Sequence, residues 1–247
     1  ERSIAWGIAQ ALAGEGADLA FSYQGEAFGR RVEPLAASVG SDILIDLDVT
    51  DDASMDAGFA AIAARWDSLD FVVHAIAFAD KAELAADFRF KDTSRANFAQ
   101  ALLISCYSFF DVARRASAMM TDGGSIVTLS FEGSQRVMPC YNVMGVAKAG
   151  LETAVRYLAH DLGSDGIRVN AISPGPMKTL AGSAIGAARR TYKHSEANAP
   201  LLANASLEAI GGTAVYLTSD QSASTTGQII MVDGGLHVMG MPRVENL

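Results

Sequence analysis

The 247-residue sequence contains two cysteines, Cys106 and Cys140. They form neither a disulfide framework nor a metal-binding spacing, which fits a reducing, cytoplasmic setting. The four histidines, His74, His160, His194 and His237, are isolated from one another, and no pair has the separation of metal ligands. Positive charge is scarce: 19 Lys and Arg against 28 Asp and Glu leave a formal net charge of −9. Such a balance repels phosphate backbones and anionic lipid, so neither nucleic acid nor a membrane is an expected partner. No apolar run has the length of a membrane span, and no signal peptide is visible. A Walker loop and a paired-carboxylate site are absent as well. What is present is globular: 50% of residues are hydrophobic and 19% charged, in a chain long enough for one large α/β domain.

Periodicity predicts regular alternation of helix and strand. Ser3 caps a helix whose Ile4, Ile8 and Leu12 share one face, and a strand follows at 17–23. Helices are expected at 27–38, 52–66, 93–120 (one long element), 141–162 and 206–218. Strands are expected at 42–48, 70–78, 124–130, 167–173 and 228–232, while 177–199 is Ala- and Gly-rich and weakly patterned. This alternation implies a single Rossmann-like domain, an α/β fold with a doubly wound parallel sheet and helices on both faces. A helix that feeds a strand is the second half of a βαβ unit. The strand before it is central in such a sheet, so a preceding segment of roughly one strand plus a turn is expected beyond this sequence.

Ligands of doubly wound sheets bind past the carboxyl ends of the strands. After the first strand comes Gln24, a neutral group that can face an adenosine ribose without attracting a 2′-phosphate, which favours NADH over NADPH; a polar turn residue is the equal alternative. Asp48 and Val49 end the next strand, suited to an adenine amino group and ring, or to helix capping. The small residues at 75–79 let a flat ligand approach the backbone, or simply pack. At 173–179 two prolines and a glycine fix a ligand-facing turn, from which Thr179 can hydrogen-bond a pyrophosphate or a carboxamide. Cys140 has no histidine partner and reads as a packing residue. Most telling are Tyr141 and Lys148, seven residues apart just after a strand. On a helix that separation is two turns, which puts a phenol and an ammonium on one face.

Together these residues resemble the short-chain dehydrogenase/reductase superfamily, and within it the bacterial enoyl-[acyl-carrier-protein] reductases. The resemblance spans nearly the whole chain. It rests on Ser3-Ile4-Ala5, the Phe-Ser-Tyr-Gln run ending at Gln24, Asp48-Val49, Tyr-Asn-Val-Met-Gly-Val-Ala-Lys at 141–148, Arg-Val-Asn-Ala-Ile-Ser at 168–173 and Val-Asp-Gly-Gly at 232–235. Most of the superfamily has tyrosine four residues before the lysine; here Met144 occupies that position. The resemblance implies an NADH-dependent reduction of the trans-2 double bond of enoyl thioesters on acyl carrier protein, the last step of the fatty acid elongation cycle. It implies that Ser3 and Ile4 line the pyrophosphate, that Gln24, Asp48 and Val49 face the adenosine, and that Ile76 and Lys148 meet the nicotinamide half. Met177, Lys178, Thr179, Leu180 and Ala181 would close over the nicotinamide, and Ala79, Phe131, Tyr141 and Met144 would face the substrate. Tyr141 and Lys148 would be the catalytic pair, and no metal is implied. Phe131 departs from most bacterial members, which carry a second tyrosine there. A homotetramer is also implied, and the long helices, apolar over more than one stripe, fit burial in an oligomer. Two rival readings are a carbonyl reductase of the same superfamily, which needs a phenol at position 144, and a non-catalytic nucleotide-binding scaffold. Arg189, Arg190 and Lys193 form a basic cluster that reads equally as a docking patch for an acidic carrier protein and as a solvated helix face.

Overall fold

The structure, a computed structural model, describes residues 2–180 and 182–247. α1 (Ile4–Gly14) starts at Ser3, whose Oγ accepts from the Trp6 amide at 3.1 Å. There follow β1 (Ala20–Tyr23), α2 (Glu26–Ser38), β2 (Ile43–Asp46), α3 (Asp52–Ala63), β3 (Phe71–His74), α4 (Arg95–Leu102), a π-helical turn Leu103–Tyr107 and α5 (Ser108–Ser117). Then come β4 (Gly124–Leu129), α6 (Val143–Leu162), β5 (Ile167–Pro174), α7 (Ala188–Asn198), α8 (Leu207–Thr218) and β6 (Ile229–Val232).

Every strand pairing is parallel. Alternation along the strands sends neighbouring residues to opposite faces. Ile126 of β4 packs with Phe109, Leu151 and Val155 of α5 and α6, while Val127 packs with Ile8 of α1 and Ile210 of α8. β5 divides in the same way, Val169 to the first face and Ile172 to the second. Helices therefore cover both faces, and the strands' carboxyl ends gather on one rim.

Two expectations need correction, and a third is met in part. The parallel α/β architecture is present, but as two sheets, β3-β4-β5-β6 and β1-β2. A slot of about 820 Å³ separates them, walled by Phe21 and Ser22 of β1, Val72 and Val73 of β3, and Ile8 of α1. No described strand lies between β1 and β3 to join their facing edges. The helix expected at 93–120 is interrupted by the π turn. There Ser105 accepts from the Phe78 amide at 2.8 Å and donates to the Phe78 carbonyl at 3.0 Å, and this tie to the segment after β3 goes with the wider turn. Within 177–199 lies the regular helix α7. Its sequence is polar nearly all round, so it shows no apolar stripe; it buries Ser195 and Asn198 rather than large side chains.

Candidate active site

A cavity of about 560 Å³ opens at the carboxyl ends of β3, β4 and β5. Its wall is mostly apolar, the usual character of a site for a small organic ligand. Ser3 and Ile4 enter it from the start of α1, and Ile76 and Ala79 from the segment after β3. Phe131, Tyr141, Met144 and Lys148 enter from the β4–α6 connection and α6, and Met177, Thr179 and Leu180 from the turn after β5. The structure thus brings eleven of the expected site residues to one cavity. Gln24, Asp48 and Val49 lie outside its lining. Gln24 Nε2 donates to Asp48 Oδ2 at 2.8 Å, joining the ends of β1 and β2. Hydrogen bonds from the Thr50 hydroxyl and amide hold the Asp48 carboxyl below its usual range. Lys178 also lies outside, its Nζ 4.2 Å from the centre of the Tyr192 ring in a cation–π contact. Ala181 falls outside the described residues.

Tyr141 reaches the cavity by a different route from the one its spacing suggests. α6 begins at Val143, so Tyr141 belongs to the turn before it and not to the helix face that carries Lys148. Both neighbours in that turn have left-handed backbones, Cys140 at φ 63° and Asn142 at φ 45°. Non-glycine residues seldom adopt this conformation, and such strain clusters at working sites. Asn142 Nδ2 donates to the Glu83 carbonyl at 2.8 Å and helps fix the turn. The phenol is buried, and its hydroxyl makes no hydrogen bond among the described residues. Burial, with Glu152 adding to it, raises its pKa well above the usual phenol value, so the group is a neutral donor. Phe131 stands edge-on to it, ring centres 4.8 Å apart at 60°.

Lys148 is 5% exposed. Nζ donates to the Leu129 carbonyl at the end of β4, 2.7 Å away, which leaves two of its three hydrogens for the cavity. Burial draws its pKa down to about 8, against the upward pull of Cys106 and Glu152. Below it lies His74 at the end of β3, with Nδ1 2.9 Å from Thr128 Oγ1 and Nε2 2.8 Å from Ser108 Oγ. Ser108 gives its own hydrogen to the Ile104 carbonyl at 2.6 Å, so it accepts from Nε2–H, and Nδ1 accepts from Thr128. Burial and the nearby lysine push His74 down to about 3, and it serves as a neutral structural link.

Two groups escaped the sequence reading. Glu152 is a buried acid one turn beyond Lys148, and Gly133 lies against the Tyr141 ring. The first was visible as a charge on the buried stripe of α6. The second had no sequence signal apart from its type. A methyl group on Gly133 overlaps the Tyr141 ring, so the ring or the turn must shift. Gly133→Ala is expected to lower kcat by about 10-fold or more through displacement of the phenol, at an overpacking cost of about 1–3 kcal/mol. Steady-state kinetics and a denaturant titration measure the two effects.

A family model described as enoyl-(acyl carrier protein) reductase matches residues 1–237. The chain is 55% identical over 245 residues to enoyl-[acyl-carrier-protein] reductase [NADH] 2 of Rhizobium meliloti, covering 99% of this chain and 91% of that protein. It is 51% identical over 238 residues to the Rickettsia felis enzyme, covering 96% and 91%. Among solved structures, the Anaplasma phagocytophilum enoyl reductase in complex with NAD superposes with a TM-score of 0.94 at 50% identity, covering 98% of this chain and 92% of that one. FabI from Candidatus Liberibacter asiaticus superposes with a TM-score of 0.95, also at 50% identity, covering 98% and 93%. Matched along nearly all of its length in both sequence and shape, this chain belongs to the enoyl-[acyl-carrier-protein] reductase family.

Proposed function

We propose that this protein uses NADH to reduce the trans-2 double bond of enoyl thioesters carried on acyl carrier protein, the closing step of each round of fatty acid elongation. The observation that carries the reading is the unbonded Tyr141 hydroxyl, held in an apolar cavity together with the buried ammonium of Lys148. The residues at hand fit the dinucleotide. Ser3 Oγ uses a lone pair on its helix cap and keeps its hydrogen to donate, Lys148 keeps two, and the joined Gln24–Asp48 pair offers polar groups beyond β1 and β2. In this reading Ser3, Ile4, Gln24, Asp48, Val49, Ile76, Lys148, Met177, Thr179 and Leu180 hold the cofactor. Bound NADH supplies a hydride to the β-carbon of the substrate.

The chain's own groups do the rest. As the β-carbon becomes saturated, negative charge builds on the thioester oxygen as an enolate, the Tyr141 hydroxyl donates to it, and the α-carbon then takes a proton from solvent to complete the product. That hydrogen bond strengthens as the charge grows, so it favours the transition state over the ground state. Lys148 holds ribose hydroxyls through its two remaining hydrogens and adds positive potential. The apolar cluster of Leu84, Met138, Met144, Phe131 and Ile185 excludes water and packs the acyl chain. The carbonyl reductase alternative fares poorly, because Met144 presents a thioether to the cavity where that chemistry needs a phenol. NADH oxidation measured with a crotonyl thioester and with a panel of ketones decides between the two: turnover of ketones alone overturns the reading.

One parallel strand in the slot between β1 and β3 would join the two sheets into a single doubly wound sheet and the chain into one domain, the finer architecture we favour. Exposed apolar side chains on α4 to α6, among them Phe98, Tyr107, Phe110 and Tyr157, support assembly, and a homotetramer is our reading. Two free cysteines, and no described helix long and apolar enough to cross a membrane, are consistent with action in the cytoplasm.

The carrier protein's docking face is proposed at α7. Arg189, Arg190 and Lys193 are exposed there, while Ala188 and Thr191 of the same helix line the cavity. An acidic carrier seated on these cations delivers its acyl chain beside them. Reversing Arg189 and Arg190 to Glu is expected to raise KM about 3- to 10-fold for carrier-protein substrates and to leave coenzyme A analogues unaffected. Equal effects on both substrates would refute docking at this helix.

A further inference from the structure

Glu152 is buried, 4% exposed, on α6 one turn beyond Lys148. An acid in such a place is costly unless it is fully engaged. It accepts from Ser130 Oγ at 2.6 Å and Ser134 Oγ at 2.5 Å on one oxygen, and from Gln135 Nε2 at 3.2 Å on the other. All three donors sit on the turn that leaves β4, and Phe131 lies between the first two. Gly133 of the same turn touches the Tyr141 ring, so both aromatic rings of the site rest on a segment pinned by one carboxylate.

Its electrostatic surroundings are equally specific. The titratable groups around Lys148 are Cys106 from the π turn, His74 from β3, Tyr141 from the strained turn and Glu152 from α6 itself. His74 is neutral, and burial pushes the Cys106 thiol and the Tyr141 phenol upward. Glu152 is the one carboxylate of the four, and both of its oxygens accept hydrogen bonds.

We propose that Glu152 is a positioning residue for the reaction: it fastens the Ser130–Gln135 turn, and with it Phe131 and the Tyr141 ring, to α6, and it is the counter-charge of the buried Lys148 ammonium. The proposal rests on the enoyl reductase reading, which crotonyl turnover by the unaltered protein tests separately. Glu152→Gln keeps the shape and removes the charge, Glu152→Asp keeps the charge and shortens the reach, and Ser134→Ala loosens the turn alone.

kcat/KM for NADH reports groups of the free enzyme, and in the unaltered protein it is expected to fall as pH rises through about 8, where Lys148 loses its proton. In Glu152→Gln that fall is expected at least about half a pH unit lower. The same displacement is read without cofactor. Because Lys148 binds its proton more weakly in the folded state, melting temperature climbs as pH rises above about 8, and in Glu152→Gln the climb begins earlier. Glu152→Asp restores the position of the fall with a higher KM for the crotonyl thioester, and Ser134→Ala raises that KM without moving the fall. A uniform loss of rate in Glu152→Gln at every pH, or a variant indistinguishable from the unaltered protein, overturns the proposal. Should Glu152→Gln fail to fold, an unchanged KM in Ser134→Ala overturns it alone.

Discussion

Replacing Tyr141 with phenylalanine is expected to lower kcat by about 10²- to 10³-fold, the usual consequence of removing one donor to a developing oxyanion. The substitution removes a single oxygen. That oxygen makes no hydrogen bond among the described residues, so the fold loses no partner and its stability is expected to hold or rise slightly. NADH affinity is also expected to hold, because the hydroxyl is assigned to the substrate. Phe131, edge-on at 4.8 Å, cannot stand in, since a phenyl ring has no hydrogen to donate. Steady-state turnover of a crotonyl thioester, NADH titration and thermal melting together make the test. A fall of less than about 5-fold in kcat would sink the assignment of Tyr141 as the oxyanion donor.

How much of the fold and the site is legible in the residues differs along the chain, for physical reasons. The alternation of helix and strand is written in hydrophobic periods of 3.6 and 2, and each such element is present with ends shifted by a few residues. α7 was hidden because a polar helix carries no period. The π turn was hidden because Ser105 acts on Phe78, a contact between segments distant in the chain. The spacing of Tyr141 and Lys148 marks the pair, but one helix does not carry both. Lys148 is positioned by α6, but Tyr141 is positioned by a turn with two left-handed residues, a geometry that neither asparagine nor cysteine announces. Glu152 was missed because its partners, Ser130, Ser134 and Gln135, lie in another segment. The two-sheet arrangement reflects an interval between β1 and β3 that no described strand fills.

Lys148→Met should separate function from stability more sharply than any other change in this chain. Activity is expected to fall by about 100-fold or more, because in the proposed mechanism the ammonium holds the cofactor's ribose, and NADH affinity should fall with it, unlike in Tyr141→Phe. The fold should respond in the opposite direction. Burial lowers the lysine pKa from 10.5 to about 8; at neutral pH that difference is about 3 kcal/mol against the folded state. Methionine fills similar space without the charge. Two losses offset the gain: the Leu129 carbonyl is left without its donor, at about 1–2 kcal/mol, and Glu152 loses its counter-charge. The net is between no change and about 2 kcal/mol of stabilisation. The pH dependence identifies the source. The unaltered protein should gain stability from about pH 8 to about pH 10.5, because the unfolded chain then releases the proton that the folded one has already lost. In Lys148→Met that gain should be missing. A variant that melts more than about 5 °C lower would show that the ammonium stabilises the fold, and one that keeps the rise would show that groups other than Lys148 produce it.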